Sequence, residues 1–187
     1  MRIIFIMSFL LSLLIISPSL ANQFPIRMFE GTVTKVLDGN TLLITDSRGT
    51  KLNIRLFGID APEAEITNMK TGIVSKGGQP FGVNAYEALL TMVINKPVRV
   101  ESMAIDQYKR TVAIVICNDK NINKEMLRFG WAWAYRQYLD IPYASEYIKL
   151  EDHARKERRG LWQQSNPQPP WEFRKLKKSK NQKKPKA

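Results

Sequence analysis

Histidine and cysteine are nearly missing from this chain, with one of each in 187 residues. His153 lies between Asp152 and Ala154 in a predicted C-terminal helix and reads as a helix-flank surface residue. Chemistry that runs on a histidine base or a histidine pair is therefore excluded, and so is a structural zinc, which needs a His/Cys cluster. Cys117 has no intramolecular partner in an oxidising compartment. It ends an apolar run, residues 112–116, and reads as a small buried hydrophobe that nothing nearby would activate as a thiolate. Any catalytic base must be a carboxylate.

Long apolar runs are also wanting. Residues 3–16 are apolar but fall short of the roughly 20 residues that a spanning helix needs. Arg2 precedes the run, and Ser19, Leu20 and Ala21 follow as a small-x-small site. This is the pattern of a secretory signal peptide over residues 1–21, cleaved after Ala21, with a secreted or periplasmic mature protein. An uncleaved membrane anchor is the alternative; a lipoprotein is not, because no cysteine follows Ala21. Acidic residues are scarce: 17 Asp and Glu stand against 29 Lys and Arg, for a net charge of +12. That balance suits a polyanion, either nucleic acid or an acidic membrane surface, although a soluble basic protein without such a partner has the same composition.

What is present suits one domain, since 44% hydrophobic residues suffice for a packed core. After a flexible mature N-terminus at 22–27, strands are expected at about 28–37, 41–46, 51–59, 98–104 and 111–117. Helices are expected at 81–95, 122–129 and 145–159, with Gly130 and Gly160 closing the last two. Residues 64–79 have no strong periodicity and read as a mobile exposed loop. Short strands with interspersed helices indicate an α+β domain built on a small barrel. Past Trp162 the chain is polar and rich in proline, with Trp171 and Phe173 placed to dock back on a domain spanning 28–173. Residues 174–187 hold eight Lys or Arg and read as a disordered basic tail, for phosphate affinity or for solubility alone.

The chain is organised around residues 33–63. Asp38, Gly39 and Asn40 form one tight turn, and Ser47, Arg48 and Gly49 another. In the third strand Leu52, Ile54 and Leu56 share one face while Asn53, Arg55 and Phe57 share the other, so Arg55 points away from the aliphatic row. Asp38, Asn40, Arg55, Asp60 and Glu63 thus gather oxygen ligands around a cation, the raw material for metal-assisted phosphate chemistry. Glu63 is the candidate base for a water. Arg55 and Arg110 are candidate clamps, because a guanidinium grips two phosphate oxygens and stays charged. Asp60 and Asn40 would hold a hard cation. Taken singly, these features have ordinary readings: Asp60 to Glu63 as a proline turn, Arg110 as a surface residue. Trp131, Trp133, Tyr135 and Tyr138 form an aromatic cluster, with the tryptophans suited to packing and the tyrosines to stacking on bases.

In order along the chain stand Asp38-Gly39-Asn40-Thr41, Arg55, Asp60-Ala61-Pro62-Glu63, Asp106-Gln107-Tyr108-Lys109-Arg110, Gly130-Trp131-Ala132 and Arg159-Gly160-Leu161-Trp162. Over roughly residues 28–173 this resembles the staphylococcal (micrococcal) nuclease family, the thermonucleases. The resemblance implies an OB-fold, a five-stranded β-barrel with about three helices. It implies a Ca²⁺-dependent endonuclease acting on DNA and RNA, secreted, monomeric and without stable membrane association. Catalytic roles would fall to Arg55, Glu63 and Arg110. Asn40, Asp60, the Ala61 carbonyl and, as a further candidate, Asp38 would hold the metal. Tyr108, Tyr135 and Tyr138 are candidate substrate contacts. One departure stands out: the family pattern has Asp where this chain has Asn40, which keeps an oxygen ligand but loses its charge. A weakened or non-catalytic nucleic-acid-binding module is therefore the alternative, and a membrane-anchored surface protein a third.

Overall fold

In the computed structural model the described residues are 27–67, 71, 74–139 and 142–182. The signal peptide expected over 1–21 lies outside them, as does nearly all of the expected flexible N-terminus. Strand β1 (Arg27–Asp38) pairs antiparallel with β2 (Thr41–Asp46), which pairs antiparallel with β3 (Lys51–Leu56). A short strand β4 (Ile59–Asp60) and a two-stranded pair, β5 (Ile66–Thr67) and β6 (Val74–Lys76), follow. Beyond helix α1 (Gly82–Val93), β7 (Pro97–Ile105) returns to β1 and forms a hairpin with β8 (Thr111–Cys117). Parallel pairing of β8 with β3 closes a five-stranded mixed barrel, the expected α+β OB-fold. The rest is β9 (Lys120–Asn121), α2 (Ile122–Arg128), β10 (Trp133–Ala134), α3 (Tyr143–Lys156) and α4 (Pro170–Gln182).

Alternation drives closure. Val33, Leu42, Ile44, Ile54, Leu56, Val100 and Val115 all turn inward and are buried. β1 serves two neighbours: residues 27–32 pair with β7 and residues 31–38 with β2. Gly31 sits at that corner, where a Cβ would lie 2.5 Å from Ile44 Cγ2. Glycine lets the strand bend around the barrel there. Helix α1 lays Ala85, Leu89 and Val93 against the barrel, the spacing its sequence announces. Asn121 caps α2 by accepting the Lys124 N–H, and Gly130 follows the helix at φ 72°.

Asn123 locks α2 to the barrel from inside. Its Oδ1 accepts the Val115 N–H at 3.1 Å, and its Nδ2 donates to the Phe57 carbonyl at 2.9 Å and the Ala113 carbonyl at 3.1 Å. A second apolar cluster joins Trp133, Ala154, Leu161 and Trp162, with Trp171 packed against it. Arg155 lies over the Trp162 and Trp133 rings, 3.8 and 4.7 Å from their centres, and Glu151 accepts from its guanidinium.

Two expectations need correction. Residues 64–79 are not a plain loop: β5 and β6 pair, and Gln79 is bonded back to Glu63. Residues 174–182 are not a disordered tail but continue α4, a fourth helix beyond the expected three. Pro170 starts α4 with a preset φ, and Glu172 in its first turn complements the helix dipole. Trp171 and Phe173 anchor it, as their docking was expected to. Residues 183–187 lie outside the described residues.

Candidate active site

The β1–β2 turn builds one wall. Asp38 Oδ1 accepts the Asn40 N–H at 2.9 Å, an Asx turn that directs the Asn40 side chain inward. The Asn40 carbonyl accepts the Leu56 N–H of β3 at 2.9 Å. Gly39 is pressed so closely on the next segment that its Cβ would lie 2.7 Å from Ala61 Cβ. Asn40, buried, then donates through Nδ2 to Asp60 Oδ1 at 3.2 Å.

Asp60 is the centre. It sits in β4, pairs with Trp133 of β10 and is 0% exposed. A buried carboxylate is stable only with cationic or hydrogen-bonding partners. Asp60 has both. Arg55, projecting from the outer face of β3 as its parity predicts, donates through Nη2 to Asp60 Oδ1 at 2.7 Å and to the Ile59 carbonyl at 3.3 Å. The other carboxylate oxygen, Oδ2, accepts from Arg174 Nη2 at 2.7 Å.

Glu63 follows Asp60 by one turn of loop. Gln79 grips its backbone from both sides, with Oε1 accepting the Glu63 N–H at 3.1 Å and the Gln79 N–H donating to the Glu63 carbonyl at 2.8 Å. Its side chain accepts from Arg174 Nη1 at 2.9 Å. Arg174 thus bridges the two carboxylates. Burial disfavours its charged form, but the hydrogen bonds and charges of Asp60, then of Glu63, more than offset this and push its pKa up.

The structure therefore brings Asn40, Arg55, Asp60 and Glu63 into one cluster. Arg110 belongs to the adjoining wall. β3 and β8 run parallel with Arg55 opposite Val112, and Arg110 lies two residues before Val112, on the same side by alternation. Its guanidinium is engaged at the hairpin tip by Asp106 Oδ2, 2.8 Å from Nε and 2.7 Å from Nη2. Burial raises the Asp106 pKa, but hydrogen bonds from the Arg110 and Tyr108 amides and the Arg110 guanidinium outweigh it and hold the carboxyl below its usual range. Tyr108 is exposed at the tip, with Arg110 over its ring at 5.3 Å. Tyr135 and Tyr138 pack on each other, ring centres 4.9 Å apart. Burial first, and then the Asp60 charge, raise the Tyr135 pKa.

Asp38 spends Oδ1 on its turn, which makes it a positioning group for Asn40 in this arrangement. Among the described residues no group of three His, Cys, Asp or Glu side chains is placed to hold a metal. The donors at hand are the Asp60 and Glu63 carboxylates, the Asn40 amide oxygen and the Ala61 carbonyl. This all-oxygen set suits a hard cation completed by water, and Arg174 already places positive charge on both carboxylates, so the residues fit such an ion. Sequence reasoning missed Arg174 because the tail reads as uniformly basic. The signal that would have found it is the Pro170, Trp171, Phe173 start of a docked helix.

Comparison with known proteins agrees with the barrel. The profile of the staphylococcal nuclease homologue family matches residues 53–164. The chain is similar to the micrococcal nuclease of Shigella flexneri, 34% identical over 160 residues, covering 81% of this chain and 83% of that one. It is 34% identical over 146 residues to an uncharacterized endonuclease of Haemophilus influenzae, covering 78% and 73%. It is 36% identical over 146 residues to an uncharacterized endonuclease of Escherichia coli, covering 78% and 84%. With the barrel closed as expected and relatives named nucleases along most of its length, the chain belongs to the staphylococcal nuclease family.

Proposed function

We propose that this nuclease-family chain is a Ca²⁺-dependent endonuclease that hydrolyses phosphodiester bonds of DNA and RNA. The observation that carries the reading is the meeting of Arg55, Asp60 and Glu63 at one barrel wall, on a family nuclease fold. Glu63 takes the proton of the attacking water at its carboxylate; its backbone, held by Gln79 at both its N–H and its carbonyl, limits where that carboxylate can move. Arg55 holds a phosphoryl oxygen from the Asp60 side, and Arg110 approaches from the hairpin wall; both stabilise charge that grows in the transition state. Asp60, Asn40 and the Ala61 carbonyl would hold calcium, which supplies neutralising charge to the phosphate when bound. Tyr108, Tyr135 and Tyr138 offer aromatic surface to bases. Residues 1–21 would direct export, so the enzyme would act as a secreted or periplasmic monomer. Among the described residues no helix is long and apolar enough to cross a membrane.

A second reading has one observation in its favour. The Asn40 amide donates to Asp60 and brings no charge to a cation, which suits a module that binds nucleic acid without cutting it. Digestion of plasmid, single-stranded DNA and RNA by the mature protein, with Ca²⁺ and with chelator, separates the two. Cleavage that stops with chelator supports the enzyme; binding without cleavage at any Ca²⁺ concentration supports the module.

A further inference from the structure

Helix α4 lies across the site with its inward face matched to it. Trp171 stacks flat on Tyr135, ring centres 5.1 Å apart and planes at 11°, where a nucleobase would stack. One turn on, Arg174 bridges Asp60 and Glu63. A further turn on, Lys177 Nζ reaches the Gly77 carbonyl at 3.5 Å. Between them Phe173 lines a cavity of about 180 Å³ with Pro62, Gln79 and Gln168. The approach to the helix is tied down as well, by Gln79 Nε2 donating to the Gln168 carbonyl at 3.0 Å. The opposite face, with Lys175, Leu176 and Lys178, is exposed.

The charges explain why this arrangement is stable and why it opposes the chemistry. Arg55 and Arg174 cancel Asp60 and Glu63, so the closed cluster is neutral. Removing Arg174 alone leaves a net negative, largely buried cluster, which a divalent cation would reverse. Arg174 also occupies the Glu63 carboxylate that must take a proton from water, and the Asp60 oxygen that Arg55 leaves open. Its side chain is 39% exposed, so the bridge can be exchanged rather than sealed.

We propose that α4 is an autoinhibitory plug, in which Arg174 stands in for the cation and Trp171 for the base, and that Ca²⁺ binding releases it. The proposal rests on the assignment of Asp60 and Glu63 to the nuclease site. A competitor that fills the site in most molecules weakens apparent Ca²⁺ affinity by the fraction of molecules open.

The test uses the full mature chain, with wild type, Arg174→Gln and Trp171→Ala compared. Trp171→Ala matters because it loosens the helix without altering any charge at the cation site. Calorimetric Ca²⁺ titration should show both variants binding about tenfold tighter or more. Hydrogen exchange in wild type should show amides of residues 170–182 losing protection on Ca²⁺ addition, while those of β1, β2 and β8 stay protected. Tighter binding in Arg174→Gln alone, with residues 170–182 still protected in Ca²⁺, would reduce Arg174 to a nearby charge and overturn the plug. Ca²⁺ binding by none of the three proteins would overturn it too, because removal of the competitor should expose the site. Release of α4 by Ca²⁺ without any cleavage would leave the plug standing and refute the nuclease reading. Cleavage with α4 still protected would do the reverse.

Discussion

Position 40 is where this chain departs from its family pattern, and the structure gives the departure a measurable sign. In Asn40→Asp, a carboxylate oxygen replaces an amide that now donates to Asp60 Oδ1 at 3.2 Å. Two unit charges at about that distance repel by roughly 5 kcal/mol at an effective dielectric of about 20 and by about 1 kcal/mol in bulk water. Arg55 and Arg174, bonded to the same Asp60 carboxylate, pull the net cost toward the lower figure. Without calcium the variant should be less stable by about 1–3 kcal/mol, a fall of roughly 2–10 °C in Tm for a domain of this size. Calcium offsets part of that loss. A second formal charge on the ligand set should raise Ca²⁺ affinity by at least about tenfold, worth about 1.4 kcal/mol. The decisive assay is thermal unfolding of wild type and variant in chelator and in millimolar-range calcium, joined to a calorimetric titration. The gap between the two stability curves should narrow by about 1.4 kcal/mol as calcium is added. Equal Ca²⁺ affinity, with equal Tm in chelator, would mean that position 40 faces neither Asp60 nor the ion, and the ligand role assigned to it would be wrong.

Glu63→Gln should lower turnover by about 10² to 10⁴ while the barrel stays folded and nucleic acid still binds; near-native turnover would remove Glu63 as the base. Asn123→Ala should cost about 2 kcal/mol or more, because it strands the Val115 N–H and the Phe57 carbonyl and takes one of two donors from the Ala113 carbonyl, and a urea melt with an unchanged midpoint would refute that account. For Asp106 the folded pKa is depressed, so its contribution to stability is present above the ordinary carboxylate value of about 3.9 and disappears as pH falls through the folded value. Carboxyl NMR titration should find the low value in wild type and a higher one in Arg110→Ala, where the two backbone N–H donors remain and the guanidinium is gone.

The barrel was legible because its signals are local and repeated. Two-residue alternation in β2, β3 and β8, turn residues at Asp38-Gly39-Asn40, and the apolar stripe of α1 each state a structure within ten residues or so. Strand parity even placed Arg55 on the outer face. The small pair β5 and β6 was not legible. Two- and three-residue strands carry no period, and what holds that segment is Gln79 reaching back to the Glu63 backbone, a contact that no pattern within the segment announces.

The tail shows the same limit with greater consequence. Eight cations in fourteen residues predict repulsion and disorder when counted as composition. Composition treats them as equivalent, whereas the fold does not. Arg174 finds Asp60 and Glu63 at sequence separations of 114 and 111 residues, and those two carboxylates are brought together by β4 and a turn that are themselves remote from the tail. One guanidinium is thereby removed from the repelling set and placed in a buried negative site, while Trp171 supplies apolar contact on Tyr135 and Trp133. Lys175 and Lys178 stay on the solvent face, where helical spacing keeps them from the site. Order in this segment is thus a property of the site it covers. Removing the negative charge at Asp60 or Glu63 should loosen α4 as surely as any change within the helix.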